Sequence, residues 1–356
     1  MIKHDRPADL TALQAISNAQ KLAFSPIAFQ ASVALLRLGV LEAVAAAGEP
    51  GANAAQIADS LRLSEYGVRV LLDMGLSLGL VWLRDDRYVL DKTGHFLLND
   101  EMTRINMSFV ADVCYEAMGS LQESVERGTP RGLARFGNWP TIYPALSVLP
   151  EPARTSWFRF DHFYSQRAQQ PALDLVLATR PRRVLDVGGN AGLWSLACVE
   201  RDSAVRVTLV DLPEQIATAR RNVAASPHAD RIAYHEMDLL DPAAALPAGA
   251  DAVWMSQLLD CFAEDQVVHV LESAAKALAA GGSIFVLELL CDRQKYDAAA
   301  YSLNATSLYF TCLANGVSRM YRSGDLLGLI RRAGLRVQAE HDNIGLGHTL
   351  VQCVRP

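Results

Sequence analysis

Residues 184–197 read VLDVGGNAGLWSLA. The apolar run that ends at Val187 is typical of a buried strand. The glycines of GGNAG, residues 188–192, let the backbone turn tightly and come close to a ligand. A helical pattern begins directly after them. A strand, a glycine-rich turn and a helix in this order predict the first unit of a nucleotide-binding α/β sheet.

The sequence on either side of this stretch predicts three regions. From Arg182 onward, apolar strands alternate with helices of about 10 to 15 residues, which indicates a Rossmann-like, doubly wound parallel sheet in residues 179–356. Residues 1–100 show helical periodicity and then a short hairpin around Arg84-Asp85-Asp86, a mainly α winged-helix outline. Residues 101–178 are expected to form a helical linker with irregular connections.

Bulk composition limits the classes of function. The 356 residues are 51% hydrophobic and 20% charged, with a formal net charge of −6, so the chain has no electrostatic reason to bind nucleic acid or an anionic membrane. The winged-helix outline is therefore interpreted as a dimerisation scaffold. No secretion signal is visible, and the six scattered cysteines lack metal-ligand spacing, so we expect a cytoplasmic protein with free thiols and no metal site.

Three acidic residues follow successive strands and are expected at one edge of the sheet. Asp211 lies about 20 residues after the glycine loop, where a carboxylate binds ribose hydroxyls, and Asp238 is placed to bind an adenine amino group. Asp186, just before the loop, disfavours a phosphate and suits a cationic ligand. The loop is not GxGxxG, and no Walker lysine is present. S-adenosylmethionine therefore fits better than a dinucleotide.

Several segments together resemble one known family. LDVGGNAG is similar to its DVGGGxG loop, LVDLP to its ribose strand, and HEMDLLDPAAALP to its GDxFxxxP segment. RFDHFYSQRA resembles its FNxxM helix, and NGVSRMYRSGDLLGLIRRAGL its closing GxxRTxxEWxxLLxxAGF segment. Over nearly the whole chain, the sequence resembles bacterial and plant small-molecule O-methyltransferases of class I, with an N-terminal winged-helix dimerisation domain.

The resemblance implies a homodimer that binds S-adenosylmethionine and a small aromatic or polyketide-like acceptor, free or carrier-bound. It places the methionine part of the cofactor against the loop glycines, the ribose on Asp211 and the adenine on Asp238. The residues expected around the cofactor are Asp186, Gly188, Gly189, Gly192, Asp211, Leu212, Asp238, Leu239 and Ser256. Those expected around the acceptor are Tyr115, His162, Phe163, Tyr164 and Tyr309.

The chain departs from the family at the catalytic segment, LHDWxDED, whose histidine removes the acceptor's proton. Aligned on its acidic end, LLDCFAED places Leu259 at the histidine and retains Asp260. One supporting glutamate is retained as Glu288, and the other is replaced by Ser318. Of the remaining histidines, only His162 is placed to enter the pocket.

The missing histidine leaves several mechanisms open. Positioning alone can lower a barrier by several kcal/mol, so base-free O-methylation is the favoured expectation. Asp260 or Glu288 can act as the base if burial raises its pKa, although a helix cap is the commoner role for Asp260. C-methylation or another sulfonium-dependent reaction is the alternative. A protein that binds the cofactor without transferring methyl, and a cofactor-sensing regulator, are further alternatives.

Overall fold

A computed structural model describes residues 8–356, which form two compact units divided between Val113 and Cys114. Both units follow the fold class expected from the sequence. The first is mainly helical and the second is an α/β unit around one large sheet.

The first unit consists of helices and one hairpin. Asn53 caps its fourth helix reciprocally with Gln56, which satisfies backbone N–H groups that a helix start leaves unpaired. Asp85 and Asp86 both have positive φ, so they form the two-residue turn that the right-handed twist of a hairpin requires. The elements are α1 Ala12–Ala23, α2 Ser25–Arg37, α3 Val40–Ala47, α4 Ala54–Leu61, α5 Glu65–Ser77, β1 Val81–Arg84, β2 Arg87–Leu90, α6 Lys92–Asn99 and α7 Glu101–Phe109.

The second unit alternates strands and helices as its sequence predicts. Irregular turns and one long helix come first, and the sheet begins at Arg183. The elements are α8 Leu121–Arg127, α9 Ala153–Leu177, β3 Arg183–Val187, α10 Leu193–Arg201, β4 Arg206–Asp211, α11 Pro213–Val223, β5 Ile232–Glu236, β6 Ala250–Ser256, α12 Glu264–Ala277, β7 Leu278–Glu288, α13 Asp297–Tyr309, α14 Ser323–Arg332, β8 Arg336–Ile344 and β9 His348–Val354.

The seven strands of the large sheet lie in the order β5-β4-β3-β6-β7-β9-β8. The first five are parallel, and β9 pairs antiparallel with both β7 and β8. The chain moves outward from β3 to β5 and then returns to β6 on the other side of β3. In such sheets, ligands bind at the carboxyl ends of the strands at this point of reversal.

Helices cover both faces of the sheet, so successive strand residues are buried in two different cores. Leu185 and Val253 pack on one face with α12 and α14. Val184 and Trp254 pack on the other with α9 and α10. This burial on both faces explains why the strands are continuously apolar rather than alternating.

Two further expectations concern membranes and metals. Within residues 8–356, no single helix is long and apolar enough to cross a membrane; α2 and α3, bent by 62°, reach that length and composition only as a pair. The same residues contain no group of three side chains that could hold a metal ion.

Candidate active site

The glycine loop leaves the sheet at the point of strand reversal. Val187 at the end of β3 pairs with Met255 of β6, and the loop of residues 188–192 follows. Gly188 and Gly192 have φ of 74° and 78°, a region that glycine adopts without strain. The N–H of Gly192 donates to the Gly189 carbonyl at 2.9 Å, which closes the turn just before α10 begins.

Asp186 of β3 packs against this loop. Its side chain is 2% exposed, and the Ser195 hydroxyl donates to Oδ2 at 2.5 Å. Burial raises the pKa of Asp186 to about 7, and the Ser195 hydrogen bond partly opposes that rise. A Cβ on Gly189 would lie only 2.8 Å from Asp186 Oδ2, so the carboxyl and the loop backbone are packed directly together. The geometry therefore gives Asp186 a supporting role within the loop.

Asp211 ends β4 with its carboxyl group held by backbone. Oδ2 accepts from the N–H of Asn190 at 2.8 Å, and Oδ1 accepts from the N–H of Leu212 at 2.7 Å. Burial raises the pKa of Asp211, and these two hydrogen bonds oppose the rise. A carboxylate has about four acceptor positions, so about two remain for hydroxyl groups of a ligand. The remaining hydrogen-bond acceptor positions of Asp211 fit the hydroxyl groups of a ribose. The glycine turn fits an amino-acid group at the same edge of the sheet.

The other residues expected at the cofactor lie at the same sheet edge. Asp238 follows β5, is exposed, and accepts the N–H of Leu240 at 2.9 Å. Leu212 and Leu239 are partly buried after β4 and β5, and Ser256 is partly buried at the end of β6.

A tight turn of residues 257–262 follows β6 and faces the glycine loop. We call it the catalytic turn. Gln257 has φ of 48°, and its N–H donates to the Leu287 carbonyl at 2.9 Å. Oε1 of Glu288, at the end of β7, accepts from the N–H groups of Leu258 and Leu259 at 3.1 and 2.8 Å. One carboxyl group thus fixes the backbone of the turn.

Leu259 and Asp260 point into different surroundings. Leu259 is fully buried and packs in the core between the sheet, α12 and α14, so it does not line the site. Asp260 is also buried, but its carboxyl group contacts the Cys261 thiol and interacts with the charge of Asp161. Shifting the family motif by one residue places its histidine on Asp260, its aspartate on Cys261 and its tryptophan on Phe262. The histidine is absent in either alignment, and the second alignment places the buried carboxyl group of Asp260 at its position.

Burial dominates the electrostatics of Asp260. The side chain is 4% exposed, and Cys261 Sγ lies 3.5 Å from Oδ1. Burial raises the pKa of Asp260 to about 7; the Cys261 thiol opposes this rise and the charge of Asp161 adds to it. Burial also raises the pKa of Glu288 well above its usual value, and the charge of Asp260 adds to it. Glu288 Oε2 is buried and has no hydrogen-bond partner within residues 8–356.

Four residues that the sequence did not single out lie near the catalytic turn or Tyr309. Asp161 of α9 is partly buried and shares its surroundings with Asp260. Asn315 Nδ2 donates to the Cys261 carbonyl at 2.6 Å, and to the Tyr143 hydroxyl at 3.3 Å. Trp157 Nε1 donates to the Tyr309 hydroxyl at 2.7 Å. The aspartate within the aromatic stretch RFDHFY could have indicated Asp161 from the sequence. The sequence around Tyr143 has no comparable feature.

The residues expected around the acceptor differ in their burial and in the side chains that they contact. Tyr309 is buried. His162 is partly buried, with its ring 5.8 Å from that of Phe158. The Phe163 ring lies 4.5 Å under the Arg167 guanidinium and 5.4 Å from the ring of Tyr164. Tyr115 is partly buried after a π-helical turn.

Comparisons with known proteins agree with this architecture. A family model described as an O-methyltransferase domain matches residues 166–336, and one described as a Dimerisation2-like domain matches residues 17–88. The crystal structure of the S-adenosylmethionine-dependent methyltransferase SibL in its apo form is similar, with a TM-score of 0.72 and 26% identity. The match covers 96% of this chain and 99% of SibL.

Two relatives of similar sequence are named for different methyl-transfer reactions. The chain is 28% identical over 319 residues to 3-hydroxy-5-methyl-1-naphthoate 3-O-methyltransferase of Streptomyces sahachiroi, covering 86% of this chain and 85% of the relative. It is 23% identical over 294 residues to L-tyrosine C(3)-methyltransferase of Streptomyces lavendulae, covering 82% and 78%. One relative is named for transfer to oxygen and the other for transfer to carbon.

Proposed function

The chain belongs to the S-adenosylmethionine-dependent small-molecule O-methyltransferases that carry an N-terminal dimerisation domain, and from that premise we propose that it methylates a small aromatic or polyketide-like acceptor, chiefly at oxygen. The observation that carries the proposal is Asp260. It is a buried carboxyl at the carboxyl end of β6, beside the glycine loop, with a pKa of about 7.

The proposed cofactor site uses the edge formed by the loop and the ends of β4, β5 and β6. When bound, S-adenosylmethionine supplies a methyl group activated by the sulfonium. The loop backbone would lie against the methionine part, and the remaining acceptor positions of Asp211 would take the ribose hydroxyls. The full proposed set is Asp186, Gly188, Gly189, Gly192, Asp211, Leu212, Asp238, Leu239 and Ser256, with Asp186 acting through the loop.

The proposed mechanism assigns different tasks to two buried carboxyls. Asp260 accepts the proton of the acceptor hydroxyl, because a base whose pKa lies near the working pH is substantially unprotonated and still basic enough. Glu288 keeps the catalytic turn in place through the N–H groups of Leu258 and Leu259. Aromatic and hydroxyl side chains, with Tyr309 and Tyr143 among them, enclose the acceptor; Tyr115, His162, Phe163 and Tyr164 are the further lining residues expected from the sequence.

The experiment combines the purified protein, deuterated S-adenosylmethionine and a panel of hydroxylated aromatic acceptors. With Asp260 as base, the activity of the native chain rises with pH and levels off above about pH 7, where Asp260 is unprotonated. Asp260→Asn should lower turnover by about 10²- to 10⁴-fold. Asp265→Asn, an exposed aspartate on α12, is the matched control and should behave like the native chain. Turnover of Asp260→Asn close to the native value would reject the general-base role and favour transfer by positioning alone.

C-methylation is the second candidate, and two observations favour it. The family's histidine is missing, and one relative is named as a C(3)-methyltransferase of L-tyrosine. A carbon nucleophile needs orientation more than immediate removal of a proton. The position of the deuterated methyl group in the product, read by NMR, distinguishes the two reactions.

The proposal extends to assembly and location. The first unit presents an apolar face, since α1 has no buried residue and Leu13, Leu22 and Phe24 are exposed. A second copy of the dimerisation domain would cover such a face, so we propose a homodimer.

Arg69 of α5 is paired with Glu65, which argues against a role of this helix in binding DNA. Six free cysteines suit the reducing cytoplasm. Light scattering tests the homodimer, and a gel-shift titration tests the absence of DNA binding.

A further inference from the structure

The two ends of the catalytic turn are held by different kinds of group. At its amino end, the Glu288 carboxyl accepts from two backbone N–H groups. At its carboxyl end, the backbone offers carbonyls instead, which accept from side chains outside the turn. Asn315 Nδ2 donates to the Cys261 carbonyl at 2.6 Å, and the Tyr321 hydroxyl donates to the Phe262 carbonyl at 2.8 Å. The ends of a short helical turn leave such groups unpaired, and here both ends have remote partners.

Asn315 uses every hydrogen-bonding position of its side-chain amide. Nδ2 donates to the Cys261 carbonyl and, at 3.3 Å, to the Tyr143 hydroxyl. Oδ1 accepts from the N–H groups of Val317 and Ser318 at 3.0 and 3.1 Å. An amide has two donors and two acceptor positions, so the reverse orientation would place oxygen against the Cys261 carbonyl. The oxygen thus serves a local turn, while the nitrogen reaches the catalytic turn.

The segment that carries Asn315 is itself fixed by three contacts. The π-helix Phe310–Ala314 ends at Asn315, whose N–H donates back to the first carbonyl of that helix at 3.1 Å. The last carbonyl of the same helix accepts from the N–H of Ile142 at 2.8 Å. A Cβ on Gly316 would lie 2.7 Å from Thr129 Cα, so the backbone after Asn315 is packed against another loop. Asn315 therefore approaches the catalytic turn from a well-anchored position.

Distances identify Asn315 as the main donor to the Cys261 carbonyl. The Tyr143 hydroxyl also donates to this carbonyl, but at 3.5 Å, which is long for a hydrogen bond between two oxygens. The N–H of Cys261 donates within the turn, to the Leu258 carbonyl at 3.1 Å. Asp260 precedes Cys261, so a rotation of the backbone at Cys261 also moves the Asp260 carboxyl.

We propose that Asn315 is a positioning residue for methyl transfer: it holds the carbonyl of Cys261 and thereby fixes the position of the Asp260 carboxyl. The inference rests on the proposed function, in which Asp260 removes the proton of the acceptor. Asn315 acts through the catalytic turn. A catalytic group misplaced by about 1 Å can cost about 100-fold in rate, so the loss of this single hydrogen bond affects turnover strongly.

Two substitutions separate the local contacts of Asn315 from the remote one. Asn315→Asp keeps an acceptor for the N–H groups of residues 317 and 318, but replaces the donor to Cys261 with an oxygen. Asn315→Ala removes both kinds of contact. Asn304→Asp, at an exposed position of α13, is the matched control. A residue that only supports its own turn tolerates aspartate and not alanine, whereas the proposed positioning residue tolerates neither.

Hydrogen exchange of the full-length protein, read by mass spectrometry, tests the contact without any acceptor. In Asn315→Asp, amides of residues 257–262 should exchange at least about 5-fold faster than in the native chain, because the turn opens more often after losing one hydrogen bond. The glycine loop, residues 188–192, should exchange at the native rate, as should both segments in Asn304→Asp. Native exchange of the catalytic turn in Asn315→Asp, or an equal rise in both segments, would overturn the inference.

Kinetics then test the consequence for turnover, with an acceptor that the native chain methylates. Rates are compared on the plateau of each pH profile, so that the added charge of Asn315→Asp does not alter the protonation of Asp260. Both variants should lower kcat about 10- to 100-fold, with affinity for S-adenosylhomocysteine within about threefold of native. A native kcat in Asn315→Asp would reject the positioning role. If the native chain methylates no acceptor while exchange of the turn responds as expected, only the proposed function fails.

Discussion

The glycine loop and the catalytic turn lie side by side at the ends of β3 and β6, yet they are held by opposite means. The loop takes its turn from its own residues, through positive φ at Gly188 and Gly192 and a hydrogen bond between Gly192 and Gly189, and only β4 adds remote acceptors, at Val210 and Asp211. The catalytic turn is held by side chains that are distant in sequence. Glu288, His348 and Asn315 reach it from 29, 91 and 54 residues away.

This difference teaches where each function can change. A loop whose turn depends on positive φ at two glycines is sensitive chiefly to substitutions at its own positions. A turn fixed by remote side chains can present a new residue, as it does with Asp260, while its anchors hold the backbone. Substitutions in the glycine loop and substitutions of the remote side chains that hold the catalytic turn should therefore have different consequences.

The largest effect is expected from Gly189→Val in the loop. Its Cβ would lie 2.6 Å from Leu209 Cγ and 2.8 Å from Asp186 Oδ2, both buried, so the loop must move away from the sheet. Affinity for S-adenosylhomocysteine, measured by calorimetry, should fall at least about 100-fold, or about 3 kcal/mol. Gly324→Val, where a Cβ meets nothing within 4 Å, is the control. A Gly189→Val affinity within threefold of native would show that the loop does not hold the cofactor.

The next effect is expected from removing the anchor of the catalytic turn. Glu288→Ala leaves the buried N–H groups of Leu258 and Leu259 without their acceptor, and should lower the free energy of unfolding by about 2–4 kcal/mol. Glu288→Gln retains an acceptor oxygen and should cost less than about 1 kcal/mol. Denaturant unfolding measures both. Equal losses in the two variants would mean that the charge, rather than the acceptor, supports the turn.

A third prediction concerns stability and pH. Asp260 has a pKa of about 7 in the folded protein against an ordinary 3.8, so folding takes up a proton between pH 4 and pH 7. Stability therefore falls as pH rises through this window and levels off above it. Asp260→Asn removes this contribution and should be about 1–3 kcal/mol more stable than native at pH 8, with little gain at pH 4. Thermal unfolding at both pH values measures the gain, and an equal gain at both would contradict it.

The smallest effect is expected at His348. Its Nε2 lies 3.2 Å from Gln257 Oε1, and burial lowers the pKa of His348 to about 4, so the ring is neutral and its Nε2–H tautomer donates to the catalytic turn. His348→Phe removes one hydrogen bond and should cost about 1 kcal/mol of stability. His348→Gln retains a donor and serves as the conservative variant. Cofactor affinity that falls together with stability would mean that the loop and the turn are coupled rather than separately supported.

Much of the fold could be predicted because its signals are local. Each buried strand is a continuous apolar run, and the hairpin turn at Asp85 and Asp86 is marked by adjacent polar residues. The glycine loop and Asp211 were found for the same reason, since a backbone that must adopt positive φ selects glycine at fixed positions. Such features depend on neighbours within a few residues.

Much of the proposed acceptor site could not be predicted because its residues meet only through folding. Asp161 and Asp260 are about 100 residues apart, and Tyr143 approaches Cys261 from the start of a short 3-10 helix, Tyr143–Val148, whose sequence has no periodicity. The assignment of Leu259 to the histidine position had the same cause. A sequence motif aligned on its acidic end gives no information about which of two adjacent side chains enters the core.

The sequence by itself determined the α/β plan, the dimerisation unit, the glycine loop and the acids at the strand ends, because local conformational preferences and the period of apolar residues encode them. The tertiary structure alone decided that Leu259 packs in the core, that Glu288 accepts from backbone N–H groups of the catalytic turn, and that Asp260 is buried where the charge of Asp161 acts on it. Burial and the direction of a side chain result from packing between remote segments, and these in turn set the pKa of Asp260.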